Sequence, residues 1–175
     1  MSRLWGQPSL TIVSDPGGLD EQRTPKQAET MVIERDFGDV RLDDYAGVIM
    51  AANYTSVGLR YFQPPQQPAD APAVSFFARA MQNAKIVTGA LCHGLWILTP
   101  RPDLLRGRRV TCHEVVRADV LNAGAVCTPS PEKIVADGDL VTGYSSREVH
   151  EFIEAIARVI SGRHVERSGD HDSDE

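Results

Sequence analysis

The chain has 175 residues, 42% hydrophobic and 24% charged, which is enough for one domain with a real core. Its formal net charge of −6 argues against nucleic acid or an anionic membrane surface as the main partner. No apolar run approaches the roughly 20 residues that span a bilayer. Residues 1–6 lack a secretory apolar core, and the three cysteines, Cys92, Cys112 and Cys127, form no paired framework. Free thiols in a reducing, cytoplasmic setting are therefore expected. There is no CxxC pair and no His/Cys spacing for zinc, so no metal and no cofactor are expected.

In chain order, residues 9–13 read as a strand, followed by the turn Asp15-Pro16-Gly17-Gly18. A weaker strand centres on Met31-Val32-Ile33, and residues 46–50 form a short buried-type strand. The stretch Gln63-Pro64-Pro65-Gln66-Gln67-Pro68 is a loop, after which Pro72 opens a helix over 73–83. Residues 85–91 form the next strand, and a short helical stretch begins at Gly94. The basic cluster Arg101, Arg106, Arg108 and Arg109 reads as a solvated turn before a strand at 109–111.

A helix over 115–122 stops at Ala123-Gly124. Strands at 134–136 and 140–142 flank the hairpin turn Asp137-Gly138. Ser145 and Glu148 make a capping box for a last helix over 146–160, with Phe152, Ile153, Ile156, Val159 and Ile160 on one face. The single domain is expected to cover 1–160, and the acidic tail 161–175 to be disordered. Strands alternating with helices predict an α/β three-layer sandwich with a mostly parallel sheet and a late β-hairpin. Such folds bind ligands at the carboxyl ends of strands.

The most informative segment is Ala90-Leu91-Cys92-His93-Gly94-Leu95. A cysteine at a strand-to-helix turn sits at that carboxyl edge, where helix N–H groups favour the thiolate. Gly89 and Gly94 suit a tight nucleophile elbow, and His93 is a proton carrier one residue away. The competing reading of Cys92 is a small buried apolar side chain. Tyr54 and Asn53 lie in the loop expected to face Cys92, as substrate contacts or plain turn residues. His113 comes after a strand at the same edge and is a candidate pocket residue. Glu114 beside it is a candidate acid, and His150 reads as a surface residue.

With those residues in place, the sequence resembles the ThiJ/PfpI family of the class I glutamine amidotransferase-like superfamily. The resemblance rests on Cys92-His93-Gly94, Leu105-Arg106-Gly107-Arg108-Arg109-Val110-Thr111, Asn122-Ala123-Gly124-Ala125 and Val135-Ala136-Asp137-Gly138-Asp139-Leu140-Val141-Thr142, in register over about residues 45–160. It implies a flavodoxin-like fold, a homo-oligomer, Cys92 as nucleophile and His93 as its proton partner. Backbone N–H groups near Gly94 and in the loop after Met50 would form an oxyanion site.

The implied activity is cysteine-dependent hydrolysis of the peptidase-like or glyoxalase III and deglycase type, on a small molecule or peptide. The alternative is a non-catalytic or redox-sensing member. Three features depart from the family pattern. Its opening strand, helix and turn glutamate are not visible, so the chain reads as N-terminally short. An upstream start is favoured over another segment or subunit filling the gap, or a less stable remnant. The loop after Met50 is not the usual Pro-Gly-Gly-Arg-Ala-Pro-Glu, and Val57 stands where peptidase-like members carry a glutamate. The Pro-rich connection is longer than usual.

Overall fold

The computed structural model describes residues 9–12, 29–32, 37–52, 54–60, 71–128 and 132–169. The chain divides into two units, Met1–Val40 and Arg41–Glu175. In the first, β1 (Ser9–Ile12) pairs antiparallel with β2 (Glu29–Val32), Ser9 lying opposite Val32. The predicted turn at 15–18 and the Pro-rich loop at 63–68 lie outside the described residues.

The second unit is organised around one continuous apolar run, Ile86-Val87-Thr88-Gly89-Ala90, buried throughout. Burial on both faces is the signature of an interior parallel strand. This run forms β4 (Val87–Cys92). It lies between β3 (Gly47–Ala52) and β8 (Leu140–Gly143), parallel to both. The sheet closes with β7 (Ile134–Asp137), antiparallel to β8 across the predicted hairpin, giving the order β3-β4-β8-β7. A smaller parallel pair joins β5 (Arg109–Val110) to β6 (Val126–Cys127). A two-residue strand leaves no period in a sequence, which hides β6 from pattern reading.

The side-chain alternation of β4 sorts the two layers that flank the sheet. On one face lies α5 (Val149–Gly169), whose Phe152 and Ile156 pack on Val87 and Val141, with Leu91 and Ile134 at the margin. Gly89 faces the same helix: a Cβ there would meet Ile156 Cδ1 at 2.7 Å and Phe152 Cζ at 2.8 Å. Gly89 therefore makes room for α5 inside a strand, and does not form part of the elbow turn expected for it. On the other face lie the 3₁₀ turn Gly94–Leu98 and α2 (Pro72–Gln82), which buries Val74, Phe77, Ala78 and Met81. This is the α/β arrangement with a mostly parallel sheet and a late hairpin that the sequence predicts. Two short helices, α1 (Thr55–Gly58) and α3 (Pro102–Leu105), complete the connections with α4 (Glu114–Asn122).

The last helix starts as predicted, with Ser145 and Glu148 forming both halves of the capping box around the 3₁₀ turn Ser146–Glu148. It does not stop at Ile160. The helix continues to Gly169, so residues 161–169 correct the expected start of the tail. The apolar stripe ends at Ile160, and the arginines and glutamate that follow are good enough helix formers to continue an established helix. Residues 170–175 lie outside the described residues.

Arg108 also departs from its expected role in a solvated turn. Its Nε and Nη2 donate to Asp137 Oδ2 (2.9 Å) and Asp139 Oδ1 (2.7 Å), and the Arg109 N–H also donates to Asp137 Oδ2 (2.9 Å). The guanidinium thus ties β5 to the hairpin tip. Burial pushes the Asp137 carboxyl up, but the Arg108 hydrogen bonds outweigh it and hold it below its usual range. A lowered carboxylate stabilises the fold above its unfolded pKa of about 3.9 and loses that contribution as pH falls through the folded value. Arg108→Ala is expected to cost about 1–2 kcal/mol at pH 7 and to flatten the loss of stability below about pH 4. Urea unfolding at pH 7 and pH 3 measures both.

Candidate active site

β4 delivers Cys92 to the carboxyl edge of the sheet, opposite Ala52 at the end of β3. Cys92 has φ +59°, the one non-glycine residue with positive φ among those described. An L-residue held there costs on the order of 1–3 kcal/mol and persists only where the surroundings enforce it. The enforcing contact is Gly94: a Cβ at this position would run into the Met50 carbonyl oxygen and lie 3.0 Å from Met50 Cβ. The chain therefore turns tightly against β3, leaving Cys92 half-buried at the sheet edge.

His93 comes next with φ −92°, ψ −1°, and its Nδ1 lies 2.9 Å from Cys92 Sγ. The adjacent residues do face each other, which sequence order alone does not require. The imidazole is buried among rings. Tyr54 is 4.8 Å from it, Trp96 5.3 Å and His113 4.9 Å, the last stacked at 17°. Tyr144 stacks in turn on His113 at 5.8 Å. Burial, with the neighbouring His113, lowers the His93 pKa, so the ring is neutral at pH 7 and able to accept a proton. Nε2 is buried without a hydrogen-bond partner among the described residues.

Burial pushes Cys92 up from the ordinary thiol value, and the Glu148 carboxylate adds to this. Hydrogen bonds from the His93 and Ser146 N–H groups act the other way without prevailing. Burial thus opposes the thiolate that the strand-to-helix turn is expected to favour. The elbow leads into a five-residue 3₁₀ turn, whose dipole is too short to offset desolvation.

Among the sequence candidates, Cys92, His93, Gly94, Tyr54 and His113 come together at this edge. Tyr54 is 62% exposed and covers His93 from the solvent side. His113 caps α4 by accepting the Val115 N–H at Nδ1 (3.3 Å), and its own N–H donates to the Cys92 carbonyl oxygen (3.1 Å). Glu114 is exposed at the rim, and its carboxylate adds to the burial that pushes the Tyr144 hydroxyl up. Asn53 lies outside the described residues. His150 is a surface residue, 3.2 Å from Glu154.

Sequence reasoning missed Trp96, Tyr144, Ser146 and Glu148 as members of the site. The capping box with Ser145 gave Glu148 a structural explanation, and Ser146 read only as the start of the last helix, so nothing flagged their second role. Cys112 is buried and pushed up to about 12 by burial, with Cys127 beside it. Among the described residues no group of three or more His, Cys, Asp or Glu is placed to hold a metal ion. None of the described helices is long and apolar enough to cross a membrane.

Residues 7–159 match the model of the DJ-1/PfpI family. A Bacillus subtilis protein named "Putative cysteine protease YraA" is 26% identical over 150 residues, 86% of this chain and 82% of its own. A ThiJ/PfpI domain protein from Brachyspira murdochii superposes with a TM-score of 0.66 at 17% identity, covering 79% of this chain and 73% of that one. A two-domain protein from Anabaena variabilis, with DJ-1/ThiJ/PfpI-like and ferritin-like domains, superposes at 0.64 with 21% identity. It covers 78% of this chain, which spans only 35% of that longer one. The two structures share the flavodoxin-like fold.

Proposed function

This chain belongs to the DJ-1/PfpI family, and from that premise we propose that it is a cysteine-dependent enzyme acting on an electrophilic carbonyl carbon. The observation that carries this reading is the Cys92 Sγ to His93 Nδ1 distance of 2.9 Å at a strained elbow. A nucleophile and a base within hydrogen-bond reach, held in an unfavourable backbone geometry, mark a covalent catalyst.

His93 Nδ1 takes the thiol proton as Sγ attacks. The S–C bond forms while the carbonyl electron pair moves to oxygen, where N–H groups near Gly94 and after Met50 receive it. With an amide, the imidazolium returns its proton to the departing nitrogen, and water then hydrolyses the thioester. A 2-oxoaldehyde forms a hemithioacetal at the same sulfur. The substrate is a small molecule or short peptide, the assembly a homo-oligomer, and neither nucleic acid nor membrane is a partner.

The test is turnover of methylglyoxal and of a chromogenic peptide amide before and after alkylation, with Cys92 occupancy read by peptide mass spectrometry. Activity lost in proportion to Cys92 modification is the expected result. Inactive wild-type protein on both classes overturns it. A second reading is a redox-responsive or non-catalytic member. The raised Cys92 thiol favours its non-catalytic form, since a buried thiol is a weak nucleophile; a redox-responsive member would instead yield a Cys92 sulfinic acid on peroxide treatment with no turnover lost.

A further inference from the structure

His93 is walled by rings from three different elements. Tyr54 precedes α1, Trp96 lies in the 3₁₀ turn Gly94–Leu98, and His113 caps α4. Tyr54 also lies 6.0 Å from Trp96, so these two rings meet each other as well as the imidazole. His93 is 6% exposed, and its Nε2 is sealed from solvent. Tyr54 stands on the solvent side of the wall, next to a helix of four residues. A helix that short has no stability of its own, so its position is set by what it docks on.

The docking is carried by residues that the Cys92–His93 chemistry does not use. The Val57 N–H donates to the Tyr54 carbonyl oxygen (3.0 Å), and the Arg60 N–H to the Val57 carbonyl oxygen (3.4 Å). These turns join Tyr54 and Arg60 in one short piece of backbone, with Ser56 between them fully buried. Arg60 then meets the body of the protein at three points. Its Nη1 donates to Thr99 Oγ1 at 3.1 Å and lies 3.9 Å from Asp119 Oδ2. Its guanidinium carbon sits over the Trp96 ring, 5.8 Å from the centre. Those points are fixed in turn. Thr99 Oγ1 donates to the Trp96 carbonyl oxygen at 2.8 Å, and Trp96 Nε1 donates to Asp119 Oδ2 at 2.7 Å. Arg60 and Asp119 thus hold Trp96 at its ring face and at its N–H edge.

We propose that Arg60 is a positioning residue of the active site: through Thr99, Trp96 and Asp119 it docks the segment 54–60 so that Tyr54 closes over His93. The consequence is a base kept dry. Burial disfavours the imidazolium, and the stacked His113 opposes it further. Releasing Arg60 frees the segment, admits water to the ring and raises the pH at which His93 takes up a proton. The other titratable and charged groups around the Cys92–His93 pair come from every side. They are Tyr54, Arg60 and Asp119 in the wall, His113 and Glu114 from the segment after β5, and Tyr144 and Glu148 from the segment after β8.

This inference deepens the proposed chemistry, in which His93 is the base, but its test needs no turnover. The His93 protonation midpoint is read by NMR in the full chain, the His93 signal being assigned by its loss in His93→Gln. Tyr54→Ala is expected to raise the midpoint by roughly half to one pH unit, and Tyr54→Phe, which keeps the ring, to leave it in place. Arg60→Ala is expected to raise it by a similar amount. In the Tyr54→Ala background Arg60→Ala is expected to add nothing, because Arg60 acts by placing that ring.

A midpoint within about 0.2 pH unit of wild type in either Tyr54→Ala or Arg60→Ala overturns the proposal. So does an Arg60→Ala shift that persists in full without the Tyr54 ring, since it would mark a direct effect of the cation on the imidazole. If Arg60→Ala does not fold, Arg60→Met keeps the aliphatic stem packed, loses the donors and carries the same test, with the same overturning results. Absence of turnover on every substrate, with these shifts intact, removes the enzymatic reading and leaves the positioning role of Arg60 standing.

Discussion

Phe152→Ala is expected to lower the unfolding free energy by about 3–5 kcal/mol, a fall in Tm of roughly 6–20 °C for a chain of this size. The ring is 1% exposed and sits in a slot whose floor is glycine. Its Cζ lies 2.8 Å from where a Gly89 Cβ would be, and its Cδ2 3.2 Å from where a Gly143 Cβ would be. Central strands β4 and β8 each forgo a side chain to admit one ring. Removing the ring leaves a void that neither glycine can fill, and a rigid sheet cannot collapse into it, so the cost falls toward the upper end.

The converse experiment gives the sharper diagnosis. Gly89→Ala places a methyl group against Phe152 and Ile156, at a cost of about 1–3 kcal/mol. In the Phe152→Ala background the ring no longer opposes that methyl and Ile156 Cδ1, 2.7 Å from it, can shift into the vacated slot, so the double variant is expected to be more stable than the sum of the two single changes predicts. Strict additivity in urea unfolding, or a Phe152→Ala cost under about 1.5 kcal/mol, rejects the slot.

The layers of this fold were legible because the sequence carries them redundantly. The run at 86–90, Asp137-Gly138 between two apolar strands, and Ser145 with Glu148 before an apolar stripe each specify one local structure and agree on the whole. What escaped was information that lives in space. Gly89 reads like a turn residue in sequence, and only the position of α5 shows it to be a packing notch. Arg108 reads as one of four solvated cations, and only the hairpin tip 29 residues away makes it a clamp.

The site divides the same way. Cys92, His93 and Gly94 announce themselves by adjacency and by the strand before them. His113 was a candidate because the carboxyl edge of a strand predicts location. Ser146 and Glu148 were hidden because their local role was already complete. The sign of the Cys92 ionisation was also out of reach, since it depends on burial and on a carboxylate 56 positions further along the chain. A dipole argument made from the elbow alone includes neither.

Cys92→Ala is expected to reduce kcat/KM by three orders of magnitude or more, at least roughly 4 kcal/mol of transition-state stabilisation, with the unfolding free energy changed by no more than about 1 kcal/mol. The two effects separate for a structural reason. Alanine keeps the Cβ, so the φ of +59° and its strain remain, and the turn is set by Gly94 against Met50, which the substitution does not touch. Only the sulfur is lost, and no other described thiol replaces it: Cys112 is buried and pushed up to about 12, and Cys127 lies on β6, also pushed up by burial.

The pH profile of the wild type carries independent information. The His93 pKa is lowered, so its neutral form is present throughout the neutral range and sets no limit there. Cys92 is raised, so the resting pair is thiol and neutral imidazole, and kcat/KM is expected to keep climbing through the alkaline range. A plateau already reached at pH 6 would instead mean a preformed thiolate–imidazolium pair, in which the Ser146 N–H outweighs burial. A rate that Cys92→Ala leaves within tenfold of wild type would place the chemistry on another group altogether.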